Sequence, residues 1–109
     1  MKVSNMTSNK GNKIANQFII YDDNNNKYFQ SYKSVIAKKQ RIEKKELRHY
    51  EDQNYSTLET ITETKVYLDE IYWNYSVTTS KYRNIFLEET TKETQKKIDQ
   101  GVYILTNLN

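Results

Sequence analysis

One stretch constrains the fold more than any other: Lys65 to Leu87, KVYLDEIYWNYSVTTSKYRNIFL. It holds the only tryptophan and four of the ten tyrosines. KVYL reads as a strand, ended by Asp69-Glu70. Tyr72-Trp73-Asn74-Tyr75 reads as a short aromatic strand or corner. An amphipathic helix follows. Thr78, Thr79 or Ser80 can cap it by accepting from a first-turn amide. Tyr82, Ile85 and Phe86 sit at i, i+3 and i+4 and form its apolar face, with Glu89 at i+7. Strand, turn and helix in so short a span need a core to converge on. Trp73 reads as part of that core, and an aromatic ligand platform is the sharper alternative.

The rest of the chain has little apolar material to add. Only 36% of its 109 residues are hydrophobic and the mean hydropathy is −0.98. Ten Tyr, three Phe and one Trp make up the shortfall, because each buried aromatic removes a large area from water. The length fits one domain.

Upstream, Met1 to Lys13 is polar and reads as a flexible tail. Gln17 to Tyr21 (QFIIY) and Lys27 to Tyr32 (KYFQSY) are β-favouring runs. The turn cluster Asp22 to Asn26 between them predicts a hairpin, and its asparagines tolerate positive φ where glycine is absent. Ser34 to Lys38 reads as a third strand. Gln40 to Asp52 is dense in charge and helical in propensity, whereas Tyr55 to Thr64 favours strand. Residues 40–64 together read as an excursion from the core: an exposed hairpin, a short helix or a mobile loop. Downstream, Thr90 and Glu93 fit a capping box, opening a charged helix over Thr91 to Gln100 with Gly101 as its C′ residue. Val102 to Leu105 closes as a strand. The expected fold is α+β: a small antiparallel sheet with one well-packed amphipathic helix and a second, weaker one. Residues 14–109 form the single domain, with the charged excursion at 40–64.

Composition excludes several kinds of chemistry. With no cysteine there is no disulfide and no thiolate metal site. His49 is the only histidine and lies in a charged stretch without a nucleophile-elbow pattern. Asp22-Asp23, Asp69-Glu70 and Glu88-Glu89 are adjacent pairs, and in a strand each would point to opposite faces. No metal, cofactor or catalytic set is expected, and the chain reads as a non-enzyme. It lacks an apolar run long enough to span a membrane, and Met1 to Ile14 lacks a signal peptide's apolar centre. A cytoplasmic protein is expected.

Charge is unevenly laid out. Residues 1–50 carry 11 Lys/Arg against 4 Asp/Glu, and residues 51–109 carry 6 against 10, so halves of +7 and −4 sum to +3. Unless the fold interleaves them, the surface has a basic and an acidic side.

The runs YFQSY, KVYLD, YWNYS, TTSKY and GVYILTNLN resemble a set of small proteins encoded by phages and prophages of Gram-positive bacteria. The resemblance covers Gln17 to Lys38 and Lys65 to Asn109, with residues 40–64 standing as an insertion. The pattern is structural and brings no functional residues. It implies a context: small non-enzymatic phage proteins often act on host proteins, including defence systems such as CRISPR nucleases.

Two binding readings follow. The leading one is a host-directed protein binder, anti-CRISPR-like, inhibiting or redirecting a host nuclease through Lys38, Lys39, Arg41, Lys44, Lys45, Arg48, Tyr50 and Tyr55. Tyrosine and arginine are the residues enriched at interface hot spots. The alternative is nucleic-acid binding by the basic run 33–48, through Tyr28, Tyr32, Lys33, Lys38 and Lys39, with phosphate contacts and base stacking. An exposed sheet edge can also pair with a second copy, giving a homodimer.

Overall fold

A computed structural model describes residues 1–49 and 56–109, and of Arg48, His49, Ser56 and Thr57 it describes the backbone alone. The chain is α+β. A six-stranded mixed sheet runs in sequence order, from β1 (Lys2–Thr7) through β2 (Lys13–Tyr21), β3 (Lys27–Ser31), β4 (Ser34–His49) and β5 (Ser56–Asp69) to β6 (Ile104–Thr106). Helices α1 (Val77–Leu87) and α2 (Thr91–Asp99) join β5 to β6. That crossover makes β6 parallel to β5, whereas every other pair is antiparallel. The sheet is therefore not wholly antiparallel, because a helical return across one face brings the chain back in its original direction.

The expected polar tail is instead the first strand and its turn. Lys2 to Asn5 pair with Phe18 to Tyr21. Gly11 closes the turn at φ +80°, with its amide donating to Ser8 O at 2.9 Å. The sequence looks polar because β1 is an edge strand that buries only Met6.

The β2–β3 turn closes as its asparagines imply. Asp22 Oδ1 accepts from the amides of Asn24 and Asn26 at 2.9 Å each, and Asn25 takes a φ of 63°. At the next turn Tyr32 takes φ 55°, so an aromatic stands where glycine would be unstrained.

The core lies between one sheet face and the helices. Register places Ser4, Ile19, Phe29, Ala37, Leu68 and Leu105 in one row across the strands, on the face that meets α1. Phe29 packs on Phe86 with ring centroids 5.9 Å apart. Ile36, Val66, Leu87 and Tyr103 complete the buried cluster, with Trp73 and Tyr82 packed at its margin.

Helix α1 meets this core differently from the expected pattern. Its buried residues are Thr79, Arg83, Phe86 and Leu87, while Ile85 is 54% exposed and Tyr82 only partly buried. The inward stripe thus runs i, i+4, i+7 and i+8 from Thr79 and is half polar. Its cap is Ser76, whose side chain accepts from the Thr79 amide at 3.1 Å. Thr79 is free of that task because its hydroxyl meets Ser31 Oγ at 3.0 Å inside the protein. Helix α2 opens on the Thr90–Glu93 capping box and stops before Gly101, at φ +73°.

Candidate functional site

Three polar clusters lie near the core, and each proves structural. Arg83 is fully buried. Its guanidinium donates to Trp73 O, to Asn84 Oδ1 at 2.9 Å and to Thr91 Oγ1 at 2.8 Å, and lies 5.0 Å from the Trp73 ring centroid. Desolvation lowers its pKa, opposed by the Glu89 charge. It ties the aromatic corner to both helices. Asp69, also buried, accepts from the amides of Ile71, Tyr72 and Leu108 and from Asn109 Nδ2, at 2.9 to 3.1 Å. Burial would raise its pKa, but these donors hold it below the ordinary carboxylate value. Tyr103 donates to Glu89, which Lys97 bridges at 3.3 Å. Burial first, and the Glu89 carboxylate second, push the Tyr103 hydroxyl well above its usual pKa, so it remains a donor. Among the described residues, no three histidines or carboxylates converge on a metal position.

Beyond the core the sheet narrows to a two-stranded ribbon. β3 pairs with β4 only as far as Lys39, and β6 pairs with β5 only from Tyr67. From Gln40↔Lys65 to His49↔Ser56, β4 and β5 pair only with each other, for ten residue pairs. At ~3.4 Å per residue the ribbon projects about 30 Å, which accounts for a molecule 57 × 31 × 27 Å in extent. Of the three readings of the excursion, the described residues adopt the exposed hairpin. The helical propensity of Gln40–His49 yields to thirteen consecutive cross-strand pairings that start within the core sheet.

This ribbon divides the expected site residues. Lys38 and Lys44 lie on the sheet face away from the helices; Lys39, Arg41 and Lys45 lie on the helix side. Lys39 belongs to the core: its Nζ donates to Phe86 O at 2.7 Å and sits 4.6 Å from the Phe86 ring centroid. It neutralises carbonyls at the C-terminal end of α1, where a cation is favoured. Desolvation, then repulsion from Lys27, lowers its pKa. Arg41 bridges Glu43 at 3.4 Å and Lys44 bridges Glu63 at 3.1 Å. The second pair, with the β4–β5 pairing itself, interleaves the basic and acidic halves along the ribbon. Residues 40–49 with 56–65 carry five Lys/Arg against four Glu, so the ribbon is not a basic arm. Tyr32 and Lys33 stand in the β3–β4 turn, at the opposite end of β4 from His49. Tyr50 and Tyr55 lie outside the described residues, as does the side chain of Arg48.

Two features escaped the sequence reading. The first is an apolar pair on the ribbon. Leu47 and Leu58 are directly opposed across the strands, 59% and 64% exposed. The second is the sheet face turned away from the helices. Its central row is Val3, Ile20, Tyr28, Lys38, Tyr67 and Ile104, each residue opposite the next. Lys38 Nζ lies 5.5 Å from the Tyr28 ring centroid and 5.7 Å from that of Tyr67. Tyr28 and Lys38 were expected to act together, and register adds Tyr67 from β5. The alternating pattern of β5 was the signal that could have found it.

No helix among the described residues is long and apolar enough to cross a membrane. No curated protein and no solved structure matches the chain. One family model matches, over residues 1–101, and by that match the chain belongs to DUF8033, a family of unknown function.

Proposed function

We propose that this chain is a non-enzymatic binding protein whose β4–β5 ribbon docks into a partner protein. The observation that carries this reading is the Leu47–Leu58 pair. Two leucines held opposite one another in water, beyond the reach of the core, add little to folding, since an exposed cross-strand pair contributes a fraction of a kcal/mol. Burial in a partner would gain far more. The charges around the pair are mixed in sign, with ion pairs at Arg41–Glu43 and Lys44–Glu63. Such a surface suits a protein groove better than a polyphosphate backbone, which rewards one sign of charge. Lys44, Lys45 and Arg41 then act as a polar rim that orients docking.

In the phage context that the sequence resemblance implies, the partner is a host protein in the cytoplasm, with a defence nuclease as the leading target. The ribbon is narrow enough to enter a channel, and occupying a nuclease channel would inhibit without chemistry.

Affinity capture from host lysate tests this, with and without nuclease treatment, using the full chain and the Leu47→Ser/Leu58→Ser double variant. The reading expects a protein that survives nuclease treatment and is lost with the double variant. Capture that is equal for both forms, or that nuclease abolishes, refutes it.

A further inference from the structure

We infer that the sheet face opposite the helices is a binding platform for single-stranded nucleic acid, with Tyr28 and Tyr67 stacking bases and Lys38 and Lys65 meeting phosphates. This surface is distinct from the Leu47–Leu58 pair and stands or falls separately.

The chemistry of the central row selects the occupant. Val3, Ile20, Tyr28, Tyr67 and Ile104 give an apolar and aromatic strip on five of the six strands, interrupted by Lys38 on β4, and Phe18 extends it beside Ile20. At its centre stands an ammonium. Among the described residues no carboxylate bridges Lys38 or Lys65; their partners are the Tyr28 and Tyr67 rings, at 5.5 to 5.8 Å from the centroids. The Tyr28 hydroxyl donates to Asp22 Oδ2 at 3.1 Å, which fixes that ring in place. A second copy packed face to face about a two-fold through this row would bring two Lys38 ammoniums together, neither bridged by a carboxylate among the described residues, a costly arrangement. The occupant must supply anions at the lysines and flat π faces at the tyrosines. A single nucleic-acid strand has both, at a repeat set by its own backbone. A duplex hides its base faces and offers only its phosphates. Tyr28 on β3 and Tyr67 on β5 flank Lys38 on β4, so the two rings stand two strand spacings apart, about 10 Å, as flat side chains rising from the pleat at a fixed spacing.

Fluorescence anisotropy of the full chain with labelled oligo(dT) and oligo(U) of ~20 nucleotides, at about 50 mM salt, tests the proposal. Binding to single strands is expected, tighter than to duplex of the same length. Tyr67→Leu should weaken it roughly tenfold or more, the loss typical of one stacked base. Lys38→Gln/Lys65→Gln should flatten the log–log salt dependence by about 1.4, from ~0.7 per phosphate contact on single strands. The charge-matched Lys92→Gln/Lys96→Gln variant on α2 should leave both quantities unchanged. If circular dichroism shows that Tyr67→Leu does not fold, the lysine variant carries the test alone. The proposal is overturned by no binding to either oligomer, by binding that ignores the tyrosine and lysine substitutions, or by sedimentation showing a dimer that Lys38→Glu dissolves or tightens.

Discussion

The Arg83 corner and the β4–β5 ribbon invert the usual rule of burial. Around the corner and the two helices a guanidinium, a carboxylate and two threonines are buried: Arg83, Asp69, Thr79 and Thr94. In the ribbon two leucines stand in water. The inversion teaches where this chain serves folding and where it does not. A buried cation is tolerable only if it is well bonded, and Arg83 reaches Trp73 and Asn74 in the corner and Thr91 in α2, besides its neighbour Asn84. Those bonds specify how the corner and both helices meet. The ribbon specifies nothing of that kind. Its residues beyond Gln40 and Lys65 pair only with each other, and a two-stranded ribbon in water is marginal without a surface to pack on. Its length is what folding alone would not select.

Substitutions can break this contrast, and the largest effect belongs to Arg83. Arg83→Ala removes the donors from Trp73 O, Asn84 and Thr91 while leaving a void beside Trp73. A loss of about 3–5 kcal/mol is expected from equilibrium denaturation, the range for breaking a buried charged network. If the loss is under ~1 kcal/mol, the corner is not held as described.

Asp69→Asn comes second. The amide cannot accept from all four donors, and a cost of about 2 kcal/mol at neutral pH is expected. The pH dependence sharpens this. Asp69 has a folded pKa below its unfolded value of about 3.9. Its contribution is therefore fully present above that unfolded value and is lost as pH falls through the folded one. Denaturation midpoints measured from pH 6 to pH 2 should fall below about pH 4 in the parent chain, and less steeply in the variant.

Gln17 gives a smaller effect of opposite sign. It is fully buried, and among the described residues neither its amide nitrogen nor its oxygen has a partner. Gln17→Leu removes two unsatisfied groups at nearly constant volume, and a gain of about 1 kcal/mol is expected. A thermal melt moving downward would show that the amide is held by ordered water.

The ribbon should give the smallest change of all. Leu47→Ser/Leu58→Ser is expected to alter stability by less than about 1 kcal/mol, while abolishing capture of the partner. A large loss of stability would make the ribbon part of the core's support and remove the contrast.

Local features were readable in the chain because local chemistry sets them. The Asp22–Asn26 turn, the Thr90–Glu93 capping box and Gly101 beyond α2 all rest on groups within a few residues of each other. The start of α1 was misread by a short step. Four hydroxyl residues, Ser76, Thr78, Thr79 and Ser80, compete for one cap, and Thr79 is withdrawn by Ser31, a partner forty-eight positions away. The apolar face of α1 was misread for a related reason. Arg83 outranks Ile85 for the interior because Trp73 O and Thr91 wait there to be bonded.

The sequence by itself determined the α+β class, the hairpin around Asp22–Asn26, the two helices and the lack of a thiolate site. Those follow from propensity, spacing and composition, which act along the chain. Only the tertiary structure decided that β6 runs parallel to β5, that Lys39 bonds the end of α1, and that Lys38 stands between Tyr28 and Tyr67. Adjacent lysines on a strand point to opposite faces, and which face meets the helices is set by packing across the sheet. One basic run in sequence thus became two surfaces in space.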